Sequence, residues 1–118
     1  MRTPEKREKD RLDRYLVETG AYVLKPLTYG MGASGAPDRV CCISGQFWGL
    51  EVKREGKEPT AIQNRRMQEI LDAGGLVAWG TADDIIPVID RWLRKRAFGG
   101  YVNETETDVH AAPVVLRR

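Results

Sequence analysis

The chain has 118 residues, of which 42% are hydrophobic, and its 19 Lys and Arg residues against 17 Asp and Glu residues give a formal net charge of +2. This length predicts one domain with a single core, and the balanced charge excludes a chain that binds nucleic acid through bulk charge alone. Because there is neither an apolar run near the ~20 residues that cross a membrane nor a hydrophobic leader, we expect a soluble cytoplasmic protein.

The first predicted element is a helix that begins at Thr3-Pro4-Glu5 and runs to about Thr19, where Gly20 ends it. A hydroxyl cap, a proline in the first helical position and an acid in the first turn are typical of a helix start. A short buried strand is predicted at residues 21–24. The Gly-rich segment 29–37 lacks the spacing of a Walker or dinucleotide loop, so we interpret it as backbone that can approach a ligand closely.

Two strands, at residues 40–44 and 47–53, are predicted to form a hairpin. We expect a type II′ turn at Gly45-Gln46, because glycine suits its first position, and Ser44 then pairs with Phe47. Cys41 and Cys42 are neighbours in the first of these strands, where successive side chains point to opposite faces, so no disulfide between them is expected. His110, the only histidine, is far from this pair in the sequence, which argues against a zinc site.

The predicted register brings three charged side chains to one face of the hairpin. Asp38 lies opposite Lys53 and diagonal to Glu51, and side chains two residues apart on a strand share a face. A change of one residue in the turn would send Asp38 to the opposite face. The sequence therefore predicts a site made by Asp38, Glu51 and Lys53. This prediction depends on the register of the hairpin.

The second half of the chain predicts a helix, a strand and a helix. Thr60-Ala61-Ile62-Gln63 has the pattern of a capping box, and Gly74-Gly75 ends that helix. Residues 76–79 form a buried strand, and a last helix, capped within residues 81–84, runs to about Ala97, before Gly99-Gly100. The strand-helix-strand unit implies a parallel pair beside the antiparallel hairpin.

The expected fold class is α/β, with a mixed β-sheet flanked by helices in the order α-β-β-β-α-β-α. Residues 1–100 would form the domain. Residues 101–118 form a C-terminal tail, either an added edge strand or a contact for a dimer partner.

The trio is suited to phosphodiester hydrolysis. Mg²⁺ prefers oxygen ligands and keeps several waters, so the carboxylates of Asp38 and Glu51 and the carbonyl oxygen of Val52 would suffice as its protein ligands. Lys53 would orient or help to deprotonate the attacking water and offset the developing negative charge.

Several of the candidate residues also have an ordinary structural explanation. Glu51 and Lys53 alone would usually lie on the solvated face of an antiparallel strand. Gln63 is the last residue of the capping box, and its amide can simply bind the backbone of Thr60. The three tryptophans could suggest base stacking, but their positions in strands and an amphipathic helix favour core packing: Trp48, Trp79 and Trp92.

Three segments in this order resemble the virus-type replication-repair nuclease group, VRR-NUC, of the PD-(D/E)XK nuclease superfamily: Gly35-Ala36-Pro37-Asp38, Phe47-Trp48-Gly49-Leu50-Glu51-Val52-Lys53 and Lys57-Glu58-Pro59-Thr60-Ala61-Ile62-Gln63. The resemblance extends from residue 3 to residue 75 and implies a restriction-endonuclease-like fold for residues 1–100. It implies that Asp38 and Glu51 bind the metal, Mg²⁺ or Mn²⁺, that Lys53 is the catalytic lysine, and that Gln63 joins the active site.

The resemblance also implies that Glu5 in the first helix is an additional acidic site residue. Glu8 lies one turn away and is the alternative, and an acid in a first turn is explained equally well by the helix dipole.

The implied activity is that of a Mg²⁺-dependent endodeoxyribonuclease acting on branched DNA as a homodimer in the cytoplasm of a bacterial or phage-infected cell. Members that consist of this domain alone resemble Holliday-junction resolvases, and two symmetry-related strands of a junction require two equivalent sites. The alternatives are a nuclease for flaps, nicks or duplex DNA, and a non-catalytic DNA-binding accessory protein.

Overall fold

The computed structural model describes residues 3–27 and 34–97, together with two short strands near the C-terminus. The helices and strands have the following bounds: α1 Pro4–Glu18, β1 Tyr22–Leu24, β2 Arg39–Ile43, β3 Gln46–Val52, α2 Ala61–Asp72, β4 Leu76–Gly80, α3 Ala82–Ala97, β5 Thr107–Val109 and β6 Pro113–Val115. The predicted order of the seven elements up to α3 is confirmed. In this part of the chain, no helix combines the length and the apolar character needed to cross a membrane.

The helices begin where the sequence predicts. Thr3 caps α1, since its Oγ accepts a hydrogen bond from the Lys6 N–H at 3.1 Å. Thr60 and Gln63 form the predicted capping box of α2. Thr81 caps α3 through its Oγ, which accepts the Asp84 N–H at 3.2 Å. These caps satisfy N–H groups that have no partner within the helix.

Within the described residues, four strands form a mixed sheet in the order β1-β2-β3-β4. The first two pairings are antiparallel, and β3 pairs with β4 in parallel, as the strand-helix-strand unit predicts. Helices α1 and α3 cover one face and α2 covers the other, where it packs on β3 and β4. On the first face the core contains Trp48 and Trp92 in an edge-to-face contact, with ring centroids 5.6 Å apart.

The hairpin turn differs from the prediction by one residue. Ile43 pairs with Gln46, so the turn residues are Ser44 and Gly45. Their φ angles, 51° and 84°, are both positive, which makes the turn type I′, and this type places glycine second. The predicted type II′ turn and the pairing of Ser44 with Phe47 are therefore wrong.

The corrected register moves the partner of Asp38 by two residues. Arg39 pairs with Leu50, and continuing this register by one residue places Asp38 opposite Glu51 instead of Lys53. A shift of two residues keeps every side chain on its predicted face. The side chains of Asp38, Glu51 and Lys53 therefore share a face as predicted, despite the error in the turn.

Strand β1 is more exposed than predicted. Val23 packs against the core, but Tyr22 is 68% exposed and Leu24 is 53% exposed. Their side chains lie on the same face of the sheet as α2. This helix packs on β3 and β4, so β1 is left exposed on that face. The prediction of a buried strand is wrong for this face because β1 lies at the sheet edge.

Gly49 allows α2 to lie close to β3 beside the predicted site. A Cβ at this position would stand 2.6 Å from Ile70 Cδ1 and 3.2 Å from Pro37 Cγ. A larger side chain would therefore push the helix and the segment before Asp38 away from the sheet.

The tail contains β5 and β6, which pair with each other in an antiparallel two-stranded sheet. Its role as an edge strand or a dimer contact stays a prediction. The predicted helix end at Gly99-Gly100 and the single histidine, His110, lie outside the described residues.

Candidate active site

Asp38 and Glu51 meet where β2 begins and β3 ends. The Asp38 carboxylate accepts a hydrogen bond through Oδ2 from the backbone N–H of Val52, at 2.9 Å. Glu51 is 2% exposed, and its neighbours in the strand, Leu50 and Val52, are buried apolar residues. A charged side chain this deeply buried usually has a partner that compensates its charge.

The Glu51 carboxyl group lacks such compensation on one side. Burial raises its pKa, the nearby Asp38 carboxylate raises it further, and the Lys53 ammonium and a hydrogen bond from the Asp38 backbone lower it, with a result of about 7. Glu51 Oε1 is buried and has no hydrogen-bond partner among the described residues. The site therefore contains two adjacent carboxyl groups and, among the described residues, one buried acceptor atom without a hydrogen-bond partner.

Lys53 completes the predicted trio. Its Nζ lies 3.7 Å from Glu51 Oε2, and its side chain is 14% exposed. The Lys53 backbone N–H donates to the Gly80 carbonyl at 2.8 Å, which continues the pairing of β3 with β4 by one residue. The chain direction at Lys53 is thus fixed by the parallel strand, and the ammonium is held against the carboxylate.

Val52 and Gln63, the two other residues predicted for this site, each form a hydrogen bond with a backbone or side-chain group. Val52 lies between Glu51 and Lys53, and its N–H is bound by Asp38, so metal binding by its carbonyl stays a prediction. The Gln63 amide oxygen accepts the Thr60 N–H at 2.8 Å. The capping role of Gln63 is confirmed, and a second role in the active site stays a prediction.

Helix α1 brings a second lysine to the site. Lys9 Nζ lies 3.5 Å from Asp38 Oδ1 and 3.8 Å from Glu5 Oε2. Glu5 is thus connected to the trio through Lys9. Lys9 was not predicted from the sequence, where its only signal is its spacing of four residues from Glu5.

Glu8, the alternative to Glu5, has a different role. Its Oε1 accepts a hydrogen bond from the Ala82 N–H at 2.8 Å, in the first turn of α3. The same oxygen lies 3.7 Å from Arg11 NH1. Glu8 therefore connects α1 to the start of α3, where the helix dipole favours an acid.

Arg39 holds the backbone of Asp38 in place. It is 7% exposed, and its Nε and NH2 donate to the two carboxylate oxygens of Asp13 on α1, at 2.7 and 2.9 Å. Its NH1 donates to the Asp38 carbonyl at 2.8 Å. Burial opposes ionisation of Asp13, but the hydrogen bonds and charge of Arg39 outweigh it and lower the pKa of Asp13 below its usual value. This buried bidentate pair fixes α1 against the first residues of β2.

The comparison with solved structures agrees with this geometry. A structure described as a VRR_NUC domain superimposes with a TM-score of 0.66 and 26% sequence identity, over 77% of this chain and 99% of that chain. The chain is related to the VRR-NUC family. No protein-family model matches the sequence, and no curated protein matches it.

The VRR-NUC relationship confirms the predicted mixed-sheet α/β fold and supports a nuclease domain. In this VRR-NUC fold, α1, β2 and β3 hold the carboxylates in place. The ion pairs of Arg39 with Asp13 and of Lys9 with Asp38 connect α1 to the start of β2. The tryptophans lie in the core as expected: Trp48 and Trp92 are buried on the α1 and α3 face, and Trp79 packs beside Met67 and Leu71.

The residues of this site fit a hard divalent cation. The described residues contain no cluster of three or more His, Cys, Asp or Glu side chains suited to a metal, so the protein would supply two carboxylates and a carbonyl. The buried, unpartnered Oε1 of Glu51 beside a second carboxylate is the acceptor that such a cation would satisfy. Few protein ligands suit Mg²⁺, which keeps several of its waters.

Proposed function

We propose that the protein is a Mg²⁺- or Mn²⁺-dependent endonuclease that hydrolyses phosphodiester bonds in DNA. The observation that carries this proposal is Glu51 Oε1, which is buried next to the carboxylate of Asp38 and has no hydrogen-bond partner in the described part of the chain. Two adjacent carboxyl groups, one of them buried, are costly in a folded domain even with the ammonium groups of Lys9 and Lys53 nearby, and a nuclease that needs a divalent cation gives a reason to keep them.

Asp38 and Glu51 would hold the cation, together with the carbonyl oxygen of Val52. When bound there, such a cation polarises a phosphate oxygen and lowers the pKa of a water molecule. Burial and the Asp38 carboxylate raise the pKa of Glu51 to about 7, and a cation bound beside it would lower that pKa and favour the charged carboxylate.

Lys53 would act on the reacting groups. Its ammonium is restrained by Glu51 Oε2 at 3.7 Å and retains hydrogen atoms to donate. It would orient the attacking water and offset the negative charge that grows on the phosphate. Glu5 would add a further carboxylate from α1, and the Gln63 amide nitrogen would contact the phosphate or the water while its oxygen caps α2.

The proposed substrate is branched DNA of the Holliday-junction type, cut by a homodimer. Two strands of a four-way junction are related by a twofold axis, so two equivalent active sites can nick both. The domain is small and has little surface with which to read base sequence, so we expect it to recognise the shape of DNA.

An apolar surface on the sheet supports the second subunit. Tyr22, Cys42 and Phe47 are Cα partners across β1, β2 and β3, so their side chains share one face. Tyr22 is 68% exposed, and Phe47 is 47% exposed. Leu24 lies beside them and is 53% exposed. A second copy of the chain would remove this surface from water, because a twofold contact places the same patch against itself.

The experiment is cleavage of a panel of labelled DNAs: a four-way junction, a flap, a nicked duplex and a plain duplex. Each is incubated with Mg²⁺, Mn²⁺ or EDTA, with wild type and Lys53→Ala in parallel. The proposal predicts symmetrical nicks in the junction that need the metal and disappear in Lys53→Ala. Nicks confined to flaps or duplexes would show that the substrate is one of these DNAs and not the junction. Salt-sensitive binding without any product would indicate an accessory DNA-binding protein.

A further inference from the structure

The ammonium of Lys9 lies on the side of Asp38 that the backbone leaves open. Asp38 Oδ2 is bound by the Val52 N–H at 2.9 Å, and Asp38 Oδ1 lies 3.5 Å from Lys9 Nζ. Oδ1 is thus the oxygen that is available to a cation from outside the hairpin. In the structure, a protein side chain already supplies that positive charge.

Lys9 also faces a cleft beside the site. The cleft has a volume of about 570 Å³ and is lined by the first turns of α1 and by Arg54, the residue that follows Lys53. The Lys9 side chain is 27% exposed. Three cationic side chains, of Lys6, Lys9 and Arg54, therefore line a cleft next to the carboxylates together with the acid Glu5, and a phosphate group is the ligand chemistry that suits the cations.

A neighbouring lysine differs from Lys9 in one respect. Lys6 is on the same helix and lines the same cleft, but its ammonium is bound by Asp10 Oδ1 at 3.0 Å. Its side chain is 59% exposed. Lys6 therefore provides the same charge in the same cleft without the contact to Asp38.

We propose that Lys9 is the internal counter-ion of the metal site and passes from Asp38 to a DNA phosphate when the metal binds. The inference rests on the proposed function. Without a divalent cation, the Lys9 ammonium neutralises Asp38 Oδ1. The Lys9 ammonium, 3.5 Å from Asp38 Oδ1, would be repelled by a cation held at that oxygen, and its flexible stem would let it move into the adjoining cleft, where DNA supplies a negative charge. Lys9 is thus a positioning residue that couples metal binding to DNA binding.

The first test measures Mn²⁺ binding by calorimetry in the absence of DNA. Lys9→Met removes the charge and keeps an unbranched apolar side chain, and Lys6→Met is the matched control. Because the cation no longer competes with an ammonium for Asp38, Lys9→Met should bind Mn²⁺ roughly three- to fivefold more tightly than wild type, the range of a partly exposed ion pair. Lys6→Met should bind it like wild type.

The second test measures how the affinity for a labelled DNA duplex depends on salt. Both substitutions are placed in the Lys53→Ala background so that the DNA remains intact. With Mn²⁺, Lys9→Met should reduce the slope of log affinity against log salt by about 0.9, the value for one lost phosphate contact. With EDTA, the slope should not change, because Lys9 is then held by Asp38.

The outcomes separate the inference from the proposed function. A wild-type protein that binds no Mn²⁺ contradicts the proposed function, and the inference with it. If wild type binds Mn²⁺ but Lys9→Met does so no more tightly than Lys6→Met, the counter-ion role is wrong. If Lys9→Met changes the salt slope equally with Mn²⁺ and with EDTA, Lys9 contacts DNA independently of the metal and the transfer is wrong.

Discussion

The two oxygens of Asp38 face different partners: Oδ2 accepts the Val52 N–H at 2.9 Å, and Oδ1 lies 3.5 Å from the ammonium of Lys9. One oxygen therefore ties the start of β2 to the end of β3, and the other faces the proposed metal. A single carboxylate thus has a structural role and a chemical role, which substitutions can separate.

Asp38→Asn and Asp38→Ala should differ in stability but not in activity. Asn keeps an amide oxygen for the Val52 N–H, whereas Ala leaves that donor without its partner and should lower the free energy of unfolding by about 1 kcal/mol relative to Asn. Both lack the charge that the metal needs, so both should fail to cleave DNA. Urea denaturation and cleavage assays on the two variants check this, and equal stability of the two would show that the hydrogen bond contributes nothing.

Glu51→Gln should stabilise the metal-free protein at high pH. The pKa of Glu51 is raised from 4.5 to about 7 in the folded protein, so the folded state binds more protons than the unfolded state between these values. Stability is therefore lost as the pH rises from about 4.5 to about 7, by up to about 3 kcal/mol. Gln carries no charge and does not show this loss.

The measurement is the free energy of unfolding in EDTA, at pH 5 and pH 8, for wild type and Glu51→Gln. The difference between the proteins should grow in favour of Gln toward pH 8. Glu69→Gln, on the exposed part of α2, is the control and should follow wild type. A wild-type advantage that increases toward pH 8 would mean that Glu51 is stabilised as a carboxylate without metal.

Lys53→Met should abolish most of the cleavage and leave metal binding intact. Loss of a group that acts on the proton or the charge of the reaction typically costs about 10²- to 10⁴-fold in rate. Removal of an ammonium 3.7 Å from Glu51 should not weaken Mn²⁺ binding, because it removes a repelling charge. Single-turnover cleavage and Mn²⁺ calorimetry test the two halves, and a variant that loses both equally would make Lys53 a structural residue.

Gln63→Glu separates the capping role of Gln63 from a role in the active site. Glutamate can occupy the same position in a capping box, so Gln63→Glu should change the free energy of unfolding little. Thr60→Ala, which removes the cap, should lower the free energy of unfolding by about 1 kcal/mol. If Gln63 contacts the phosphate or the attacking water, the added negative charge should slow cleavage at least about tenfold. Full cleavage by Gln63→Glu would limit this residue to the cap.

The elements of the fold were predictable because each carries local signals. Thr3 and Thr60 cap their helices as expected, and the parallel pairing of β3 with β4 follows from the helix between them. The turn was misplaced because Gly45 suits the second position of a type I′ turn as well as the first of a type II′ turn, and local sequence does not show that Ser44 takes a positive φ.

The grouping of Asp38, Glu51 and Lys53 on one face was predictable because it depends only on strand parity. Asp38 and Glu51 share a face in both registers, so the error of two residues did no harm. The contact of Lys9 with Asp38 and the anchoring of Arg39 by Asp13 depend on how α1 packs across the sheet. Such contacts between distant parts of the chain leave no periodic signal in the sequence.

The most direct test of the central claim is cleavage of a four-way junction labelled on one strand, by wild type and Glu51→Gln, in Mn²⁺ and in EDTA. We expect a nick by wild type in Mn²⁺ alone, and no product from Glu51→Gln in either condition although the variant is folded. Undiminished cleavage by Glu51→Gln, or cleavage by wild type in EDTA, would contradict a metal-dependent site built on Asp38 and Glu51.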